Sequence, residues 1–236
     1  MRSWAFFLYN GSMSGTDTET DPSSSDGTMR SARIEGFSNL ESGTPVIYRW
    51  IYDRIFWDLD HAAYELAGPK VDFANLIHAA AHLRLVLERV VTASFAASHV
   101  LFNQASRDVG AAKDFGEMRK RLKRLNPNYW PSAFGEVEHN GVVRLGVRTG
   151  IGVAETEVGR QFGLVSTLLH APNPFKKDKT PPEDTFDQLK LLTANFQEML
   201  PCHIVQLAES SEFLYLRRTV DAGIVVDAIR TERPLL

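Results

Sequence analysis

The chain has 236 residues, of which 44% are hydrophobic and 23% are charged, with a formal net charge of −3 and a single cysteine. These values are typical of an ordinary globular protein, and they exclude a chain whose overall charge draws it to nucleic acid or to an anionic membrane. Because Cys202 has no second cysteine with which to form an intramolecular disulfide, we expect a reducing, cytoplasmic environment and interpret Cys202 as a packed thiol.

The N-terminal segment differs in composition from the rest of the chain. Residues 1–29 are rich in Ser, Thr, Asp and Gly and show no apolar period, so we predict a disordered tail followed by one domain over residues 30–236. The longest apolar region, 83–102, contains two arginines, a glutamate and a histidine, which are costly in lipid. We therefore expect no membrane partner.

Two long helices are predicted first. Thr44 and Pro45 suit a helix start, and Gly68 with Pro69 suits its end. The apolar positions between them recur every three or four residues, and three aromatic residues widen this face: Ile47, Ile51, Ile55, Leu59 and Ala62, with Trp50, Trp57 and Tyr64. A second helix from a cap at Asp72 to about Gln104 is apolar on most sides, which predicts a central position.

The second half of the chain alternates between helix and strand patterns. A third helix is expected over 111–125 and a hairpin with an Asn-Gly turn near 136–145. Thr156 is the predicted cap of a helix that ends at His170, and a last helix opens at Pro182. Three strands follow, over 202–207, 213–218 and 223–229. The order predicts an α+β fold that is mainly α: a helical bundle with the hairpin and a small antiparallel β-element at the C-terminus.

Three segments carry a resemblance to known proteins: Leu83–Glu88 (LRLVLE), Asn126–Pro131 (NPNYWP) and Leu169–Phe175 (LHAPNPF). Over roughly residues 33–207 they resemble a group of uncharacterised bacterial proteins, which implies no activity. The helical core with a helix-terminal histidine also resembles HEPN-type domains, which include metal-independent ribonucleases of toxin and defence systems. Those ribonucleases carry an arginine and a histidine at shorter spacing on one helix, whereas nine residues separate Arg160 from His170 here.

His170 is the first candidate catalytic residue. A helix C-terminus favours the protonated imidazole, which could act as a general acid or base in phosphodiester cleavage while Arg160 stabilises developing charge. Along one helix the two residues lie about 15 Å apart, so a shared phosphate requires a second subunit. The structural alternative, which we favour, is that His170 caps the last carbonyl groups and anchors the Pro-rich turn.

Arg84 is the third candidate. With Glu88 it forms a four-residue spacing on an apolar helix, which indicates an internal ion pair. The functional alternative is that Arg84 lines a polar pocket facing His170.

A basic run followed by aromatic residues is the candidate nucleic-acid contact. Cations bind phosphates and aromatic rings stack on bases, so the pattern suits RNA or single-stranded DNA. The alternative, and the commoner outcome, is a solvated helix face with the aromatic rings in the core. The residues are Arg119, Lys120, Arg121, Lys123 and Arg124, then Tyr129 and Trp130.

His78 and His82 have the four-residue spacing of metal ligands on a helix, with His61 or Asp58 as a conceivable third ligand. No glutamate follows the first histidine, and we interpret the pair as structural. The chain contains no Walker loop, no Gly-x-Gly-x-x-Gly and no Gly-x-Ser-x-Gly, so no cofactor is predicted.

Two functions remain in competition. The leading hypothesis is a HEPN-like accessory protein of a bacterial defence or toxin system that contacts RNA and, if it is catalytic, cleaves it without metal. The alternative is a non-catalytic protein-interaction module. The wide apolar faces of the first two helices favour a homodimer, although a monomer with a larger core is also compatible with them.

Overall fold

The computed structural model describes residues 34–37, 43–68, 72–99, 112–139, 142–170, 182–207 and 211–231. The predicted tail over 1–29 lies outside these ranges, as do the Asn-Gly turn at 140–141 and the Pro-rich segment after His170.

One antiparallel sheet contains the six strands of the described residues: β1 (Ile34–Phe37), β2 (Ser132–His139), β3 (Val142–Val147), β4 (Cys202–Gln206), β5 (Glu212–Thr219) and β6 (Gly223–Thr231). Their spatial order is β1-β6-β5-β4-β2-β3. The hairpin β2–β3 joins the C-terminal strands through a short ladder in which Ser132 faces Ile204 and Ala133 faces His203. The predicted strands are confirmed, and the hairpin belongs to the same sheet as the C-terminal β-element.

Five α-helices accompany the sheet in the described part of the chain: α1 (Gly43–Glu65), α2 (Phe73–His99), α3 (Phe115–Leu125), α4 (Val158–Leu169) and α5 (Pro182–Met199). The α+β class with mainly helical content is therefore confirmed. Helix α2 packs against α1, α3, α4 and α5, which gives it the central position predicted from its apolar sequence.

The buried face of α1 differs from the predicted one. Ile51, Ile55, Leu59 and Ala62 are buried as expected, but the helix is rotated so that Tyr48, Tyr52 and Phe56 join them. The predicted inward positions that are exposed instead are Ile47, Trp50, Trp57 and Tyr64. Tyrosine and phenylalanine fill the space under α1, and the tryptophans on the other side of the helix therefore face solvent.

Helix starts are partly as predicted. The Asp72 carboxylate accepts a hydrogen bond from the Ala74 N–H at 2.8 Å, which is the expected cap of α2. Helix α3 begins later than predicted, after Asp114, whose carboxylate accepts from the Glu117 N–H at 2.8 Å. The prediction for Thr156 is wrong, because Thr156 lies inside a 3₁₀ turn over Glu155–Glu157 that leads into α4.

The helices and one face of the sheet share a continuous hydrophobic core that runs from α1 to β6. The imidazole of His203 on β4 is fully buried beside this core. Its Nδ1–H donates to the Leu200 carbonyl at 2.7 Å, and its Nε2 accepts from the Tyr48 hydroxyl at 2.8 Å. A smaller cluster, Phe134, Val147, Ile204, Phe213 and Ile229, packs separately from this core.

Candidate functional site

The two principal catalytic candidates lie at opposite ends of α4. Arg160 is in the first turn, where its guanidinium pairs with the Glu157 carboxylate. His170 is the exposed residue that ends the helix. Ten residues of helix keep the two side chains about 15 Å apart within one chain. The expected position of His170 at a helix C-terminus is confirmed, and its catalytic role stays a prediction.

Arg84 contacts α4 but not at either of its ends. Its Nε donates to the Glu88 carboxylate at 3.0 Å, and its guanidinium lies 5.2 Å from the ring centroid of Phe162. About one third of each charged side chain is exposed. Arg84 therefore forms the predicted ion pair and packs α2 onto α4.

Arg119 is the most enclosed member of the basic run. Its guanidinium donates to the Tyr129 hydroxyl at 3.1 Å, to the Glu155 carboxylate at 2.5 Å and to the Glu155 carbonyl at 2.9 Å. Lys123 binds the other oxygen of the same carboxylate at 2.6 Å. These hydrogen bonds, with one from Tyr129, hold the pKa of Glu155 below its usual range although burial acts in the opposite direction. Arg119 thus joins α3 to the 3₁₀ turn and is not a free phosphate ligand.

Tyr129 and Trp130 are core residues. Tyr129 is fully buried, and the Trp130 indole donates to the Val153 carbonyl at 2.7 Å with almost no exposed surface. The prediction that these rings stack on bases is wrong, because a base cannot reach them. The NPNYWP segment instead fastens the end of α3 to the loop before the 3₁₀ turn.

The remaining cations of α3 line a shallow cavity of about 610 Å³ together with Glu117. Glu117 pairs with Arg121, which reduces the positive charge of this surface. Lys120 and Arg124 are exposed on it. The exposed cations of the basic run are therefore Lys120, Lys123 and Arg124, whereas the Arg121 side chain is largely buried beside Glu117.

The two histidines of α2, His78 and His82, contact different acidic residues. The Nδ1–H of His82 donates to the buried carboxylate of Asp58 at 3.0 Å, and Arg89 also pairs with Asp58. Burial, followed by the nearby His61, lowers the pKa of His82. His78 is exposed and lies 3.6 Å from Glu65. Within the described ranges, no three His, Cys, Asp or Glu side chains are placed to hold one metal ion.

The outer face of α1 is the most unusual surface of the described chain. Trp50 is 64% exposed, Trp57 50% and Tyr64 79%, and Val46 is exposed beside them. Trp50, Trp57 and Tyr64 are spaced seven residues apart, and seven residues make almost two full helical turns, so the three side chains lie on one side of the helix. With Val46 they form a line about 27 Å long, which we call the α1 stripe. Isolated exposed apolar residues are common, whereas several large ones aligned on one helix face suit an interaction site.

A groove of about 740 Å³ runs along one side of the α1 stripe, between α1 and the turn that joins β5 to β6. Trp50, Phe56, Trp57 and Ile224 supply its apolar surface. Its charged residues are balanced in sign: Arg49, Asp53, Asp60 and Arg218. Arg218 binds Asp60 at 3.1 Å and lies over the Phe56 ring at 4.6 Å, so it fixes the wall of the groove.

The spacing of apolar residues in α1 predicts the aromatic residues of this surface to be buried, and the structure exposes them. Trp50, Trp57 and Tyr64 repeat every seven residues, while Tyr48, Tyr52, Ile55, Leu59 and Ala62 already form a complete buried face. A helix with two apolar faces carries more apolar surface than a single packing layer can bury. The second face is therefore the sequence signal for an exposed stripe.

No helix among the described residues is both long and apolar enough to cross a membrane. No protein-family model matches the chain, and comparison with curated proteins and with solved structures finds no similar protein. The resemblances to uncharacterised bacterial proteins and to HEPN-type domains therefore stay predictions.

Proposed function

We propose that the protein is a non-catalytic interaction module that binds a protein partner through the α1 stripe and the adjoining groove. The observation that carries this proposal is the exposure of Trp50, Trp57 and Tyr64 along one line of a well-packed helix. Aromatic side chains supply large contact areas at low entropic cost, and they dominate the energetics of protein interfaces.

The charges around the α1 stripe favour a protein over a nucleic acid. Arg49 and Arg54 are offset by Asp53 and Asp60 on the same exposed side of the helix. A polyanion binds surfaces of predominantly positive charge, because its affinity comes from phosphate neutralisation. Mixed charges at the rim of an apolar patch are instead the ordinary anatomy of a protein–protein interface.

Site-specific photocrosslinking in the native cells tests this function. A photoreactive phenylalanine analogue is placed at Trp50 and, as the control, at Leu191, an exposed apolar residue of α5 away from the stripe. We expect a defined protein adduct from position 50 and none from position 191. Trp57→Glu should abolish the adduct and Leu191→Glu should leave it. Equal labelling from both positions, or none from either, would contradict the proposal.

A second candidate, contact with RNA, is favoured by the four α3 cations that line one cavity. In that function the protein is a HEPN-like accessory factor of a bacterial defence or toxin system. If it is a nuclease, Arg160, His170 and Arg84 act across two subunits. Lys120→Ala with Arg124→Ala should weaken binding of a single-stranded RNA and reduce its salt dependence, whereas Lys190→Ala on α5 should not.

Cleavage is tested separately from binding. Purified protein is incubated with total bacterial RNA in the presence and absence of EDTA, beside His170→Ala. Cleavage that survives EDTA and disappears in the variant supports the nuclease. Intact RNA throughout, with both proteins equally folded, removes it and leaves the interaction module.

A further inference from the structure

We propose that His61 and His82 bind one divalent transition-metal ion, of the Zn²⁺, Ni²⁺ or Cu²⁺ class, between helices α1 and α2. This pair takes one imidazole from each helix, unlike the four-residue pair of His78 and His82 within α2. The inference goes beyond the proposed function, and it does not depend on what the α1 stripe binds.

Hydrogen bonds fix the tautomer of both imidazole rings. The Nδ1 atom of His61 lies 2.7 Å from the Trp57 carbonyl oxygen, and that of His82 lies 3.0 Å from the Asp58 carboxylate. Arg89 pairs with this carboxylate and favours its ionised form. A carbonyl and an ionised carboxylate can only accept, so each Nδ1 carries the hydrogen. Each neutral ring therefore has its lone pair on Nε2, the nitrogen that remains for a metal ion.

The separation of the two rings fits a shared metal ion. Their centroids are 5.4 Å apart, and their planes are inclined by 39°. Two imidazoles on one tetrahedral Zn²⁺ ion, with Zn–N bonds of about 2.0 Å, have centroids about 5 Å apart. The acceptors Trp57 and Asp58 are neighbours in sequence, and in each ring Nε2 lies on the side away from its acceptor. Both lone pairs can therefore be directed to one point between the helices.

The surrounding residues hold both imidazoles in place before an ion arrives. Histidines that bind metals usually donate their other ring N–H to a carboxylate or a backbone carbonyl, as His82 and His61 do here. The Trp57 ring packs on His61 with centroids 3.8 Å apart and lies edge-on to His82 at 5.5 Å. Asp58 is fully buried, whereas His61 is exposed and His82 is 21% exposed. An ion can therefore reach the imidazoles from solvent.

The donor atoms select the class of ion. Imidazole nitrogen suits Zn²⁺, Ni²⁺ and Cu²⁺, whereas Mg²⁺ and Ca²⁺ prefer oxygen ligands. The described residues place no third His, Cys, Asp or Glu side chain at this point, so water completes the coordination shell. Two ligands from the chain indicate a site that exchanges its ion with solution, because structural zinc sites use four.

Zinc binding by the untagged full-length chain tests the site. Isothermal titration calorimetry with zinc chloride compares the wild type with His61→Ala, His82→Gln and His78→Ala. We expect one Zn²⁺ per chain in the wild type and in His78→Ala. Loss of an outer hydrogen-bond partner alone costs about 10–100-fold in metal affinity, so loss of either ligand should cost at least roughly tenfold. Magnesium chloride should give no binding heat. His78 is the matched control, because it lies on the same helix as His82 and pairs with Glu65.

Two further measurements report on the ligands and on the helices that they join. Pulsed electron paramagnetic resonance with substoichiometric Cu²⁺ counts coordinated imidazoles, and we expect two in the wild type and in His78→Ala but one in His61→Ala. Zn²⁺ should raise the melting temperature of the wild type and leave that of His61→Ala unchanged, because only the folded chain brings the two imidazoles together.

Three results would overturn the proposal. The first is a wild type that binds no Zn²⁺, and the second is equal binding by all four proteins. The third is binding that His78→Ala removes and His61→Ala keeps, which would assign the ion to the pair within α2. Because His61 is exposed, His61→Ala decides the question even where His82→Gln does not fold. None of these results bears on the photocrosslink at position 50, so the proposed function is judged separately.

Discussion

At the scale of individual residues, the buried imidazole of His203 makes stability depend on pH. Burial lowers the pKa of His203 to about 4, from an ordinary value near 6.5. Between these values the unfolded chain binds the proton and the native chain does not, so the free energy of unfolding falls as the pH falls from 6.5 to 4. The expected loss is about 3 kcal/mol, and His82, whose pKa is also lowered, adds to it in the same direction.

Urea unfolding at several pH values across this window measures the effect. The control is His203→Gln, which removes the titrating group. We expect a lower stability for this variant at pH 7, because the Leu200 carbonyl loses the Nδ1–H donor, and a flatter pH dependence below 6.5. If the free energy of unfolding of the variant depends on pH as steeply as that of the wild type, groups other than His203 cause the dependence.

Two glycines in the loop before the 3₁₀ turn offer a matched pair of substitutions. Both have a positive φ, +74° at Gly150 and +85° at Gly152. A Cβ at Gly150 meets nothing within 4 Å, whereas one at Gly152 lies 2.5 Å from Met199. We expect Gly150→Ala to cost about 1 kcal/mol from the backbone alone, and Gly152→Ala to cost about 1–3 kcal/mol more from overpacking. Equal losses in thermal or urea unfolding would show that Met199 moves aside freely.

At the scale of residues, the sequence shows which aromatic side chains are important but does not show which of them are buried. Trp130 is buried, which is the commoner of its two predicted placements, whereas Trp50 and Trp57 are exposed although their spacing predicts them inside. Aromatic side chains suit both environments, and local spacing cannot tell them apart. The choice depends on which backbone carbonyl lies within reach: Trp130 finds that of Val153, which is distant in sequence.

The 3₁₀ turn is held to α3 by one carboxylate, and this connection can be tested at the scale of elements. Glu155 is 19% exposed and binds Arg119, Lys123 and Tyr129. Glu157 is 45% exposed and pairs with Arg160. We expect Glu155→Ala to reduce the free energy of unfolding by about 2 kcal/mol, because Arg119 and Tyr129 lose a buried partner. Glu157→Ala should cost less than about 0.5 kcal/mol, as exposed pairs do. Losses of similar size would contradict this account.

Helix α1 shows what periodicity can and cannot establish for an element. Four of its buried residues follow from spacing, and it begins at Gly43, one residue before the predicted cap at Thr44. Its rotation does not follow from spacing, because two apolar arcs compete and contacts with α2, β6 and β4 decide between them. The hydrogen bond from Tyr48 to His203 joins residues 155 positions apart, and no local pattern could reveal it.

The sheet shows the same limit at the scale of the whole molecule. Turn residues and alternation predict the hairpin and the three C-terminal strands one by one. The pairing of β2 with β4 is a contact between segments about 70 residues apart, and helix α5 packs against both strands. The candidate site also differs from the predicted one for this reason. The α1 stripe is the face of α1 that the rest of the fold leaves uncovered.

Helix α2 packs against the other helices in the shared core. A substitution that weakens its packing should therefore destabilise the whole molecule. Leu87 is fully buried where α2 meets its neighbours, and Leu85, two residues earlier, is 37% exposed. We expect Leu87→Ala to lower the free energy of unfolding by about 2–5 kcal/mol and Leu85→Ala to lower it by less than about 1 kcal/mol. Because the helices and the sheet share one core, helical circular dichroism and the fluorescence of buried Trp130 should change in a single common transition for both variants. Separate transitions would mean that the helices and the sheet unfold as independent units, and the prediction of one domain over residues 30–236 would then be wrong.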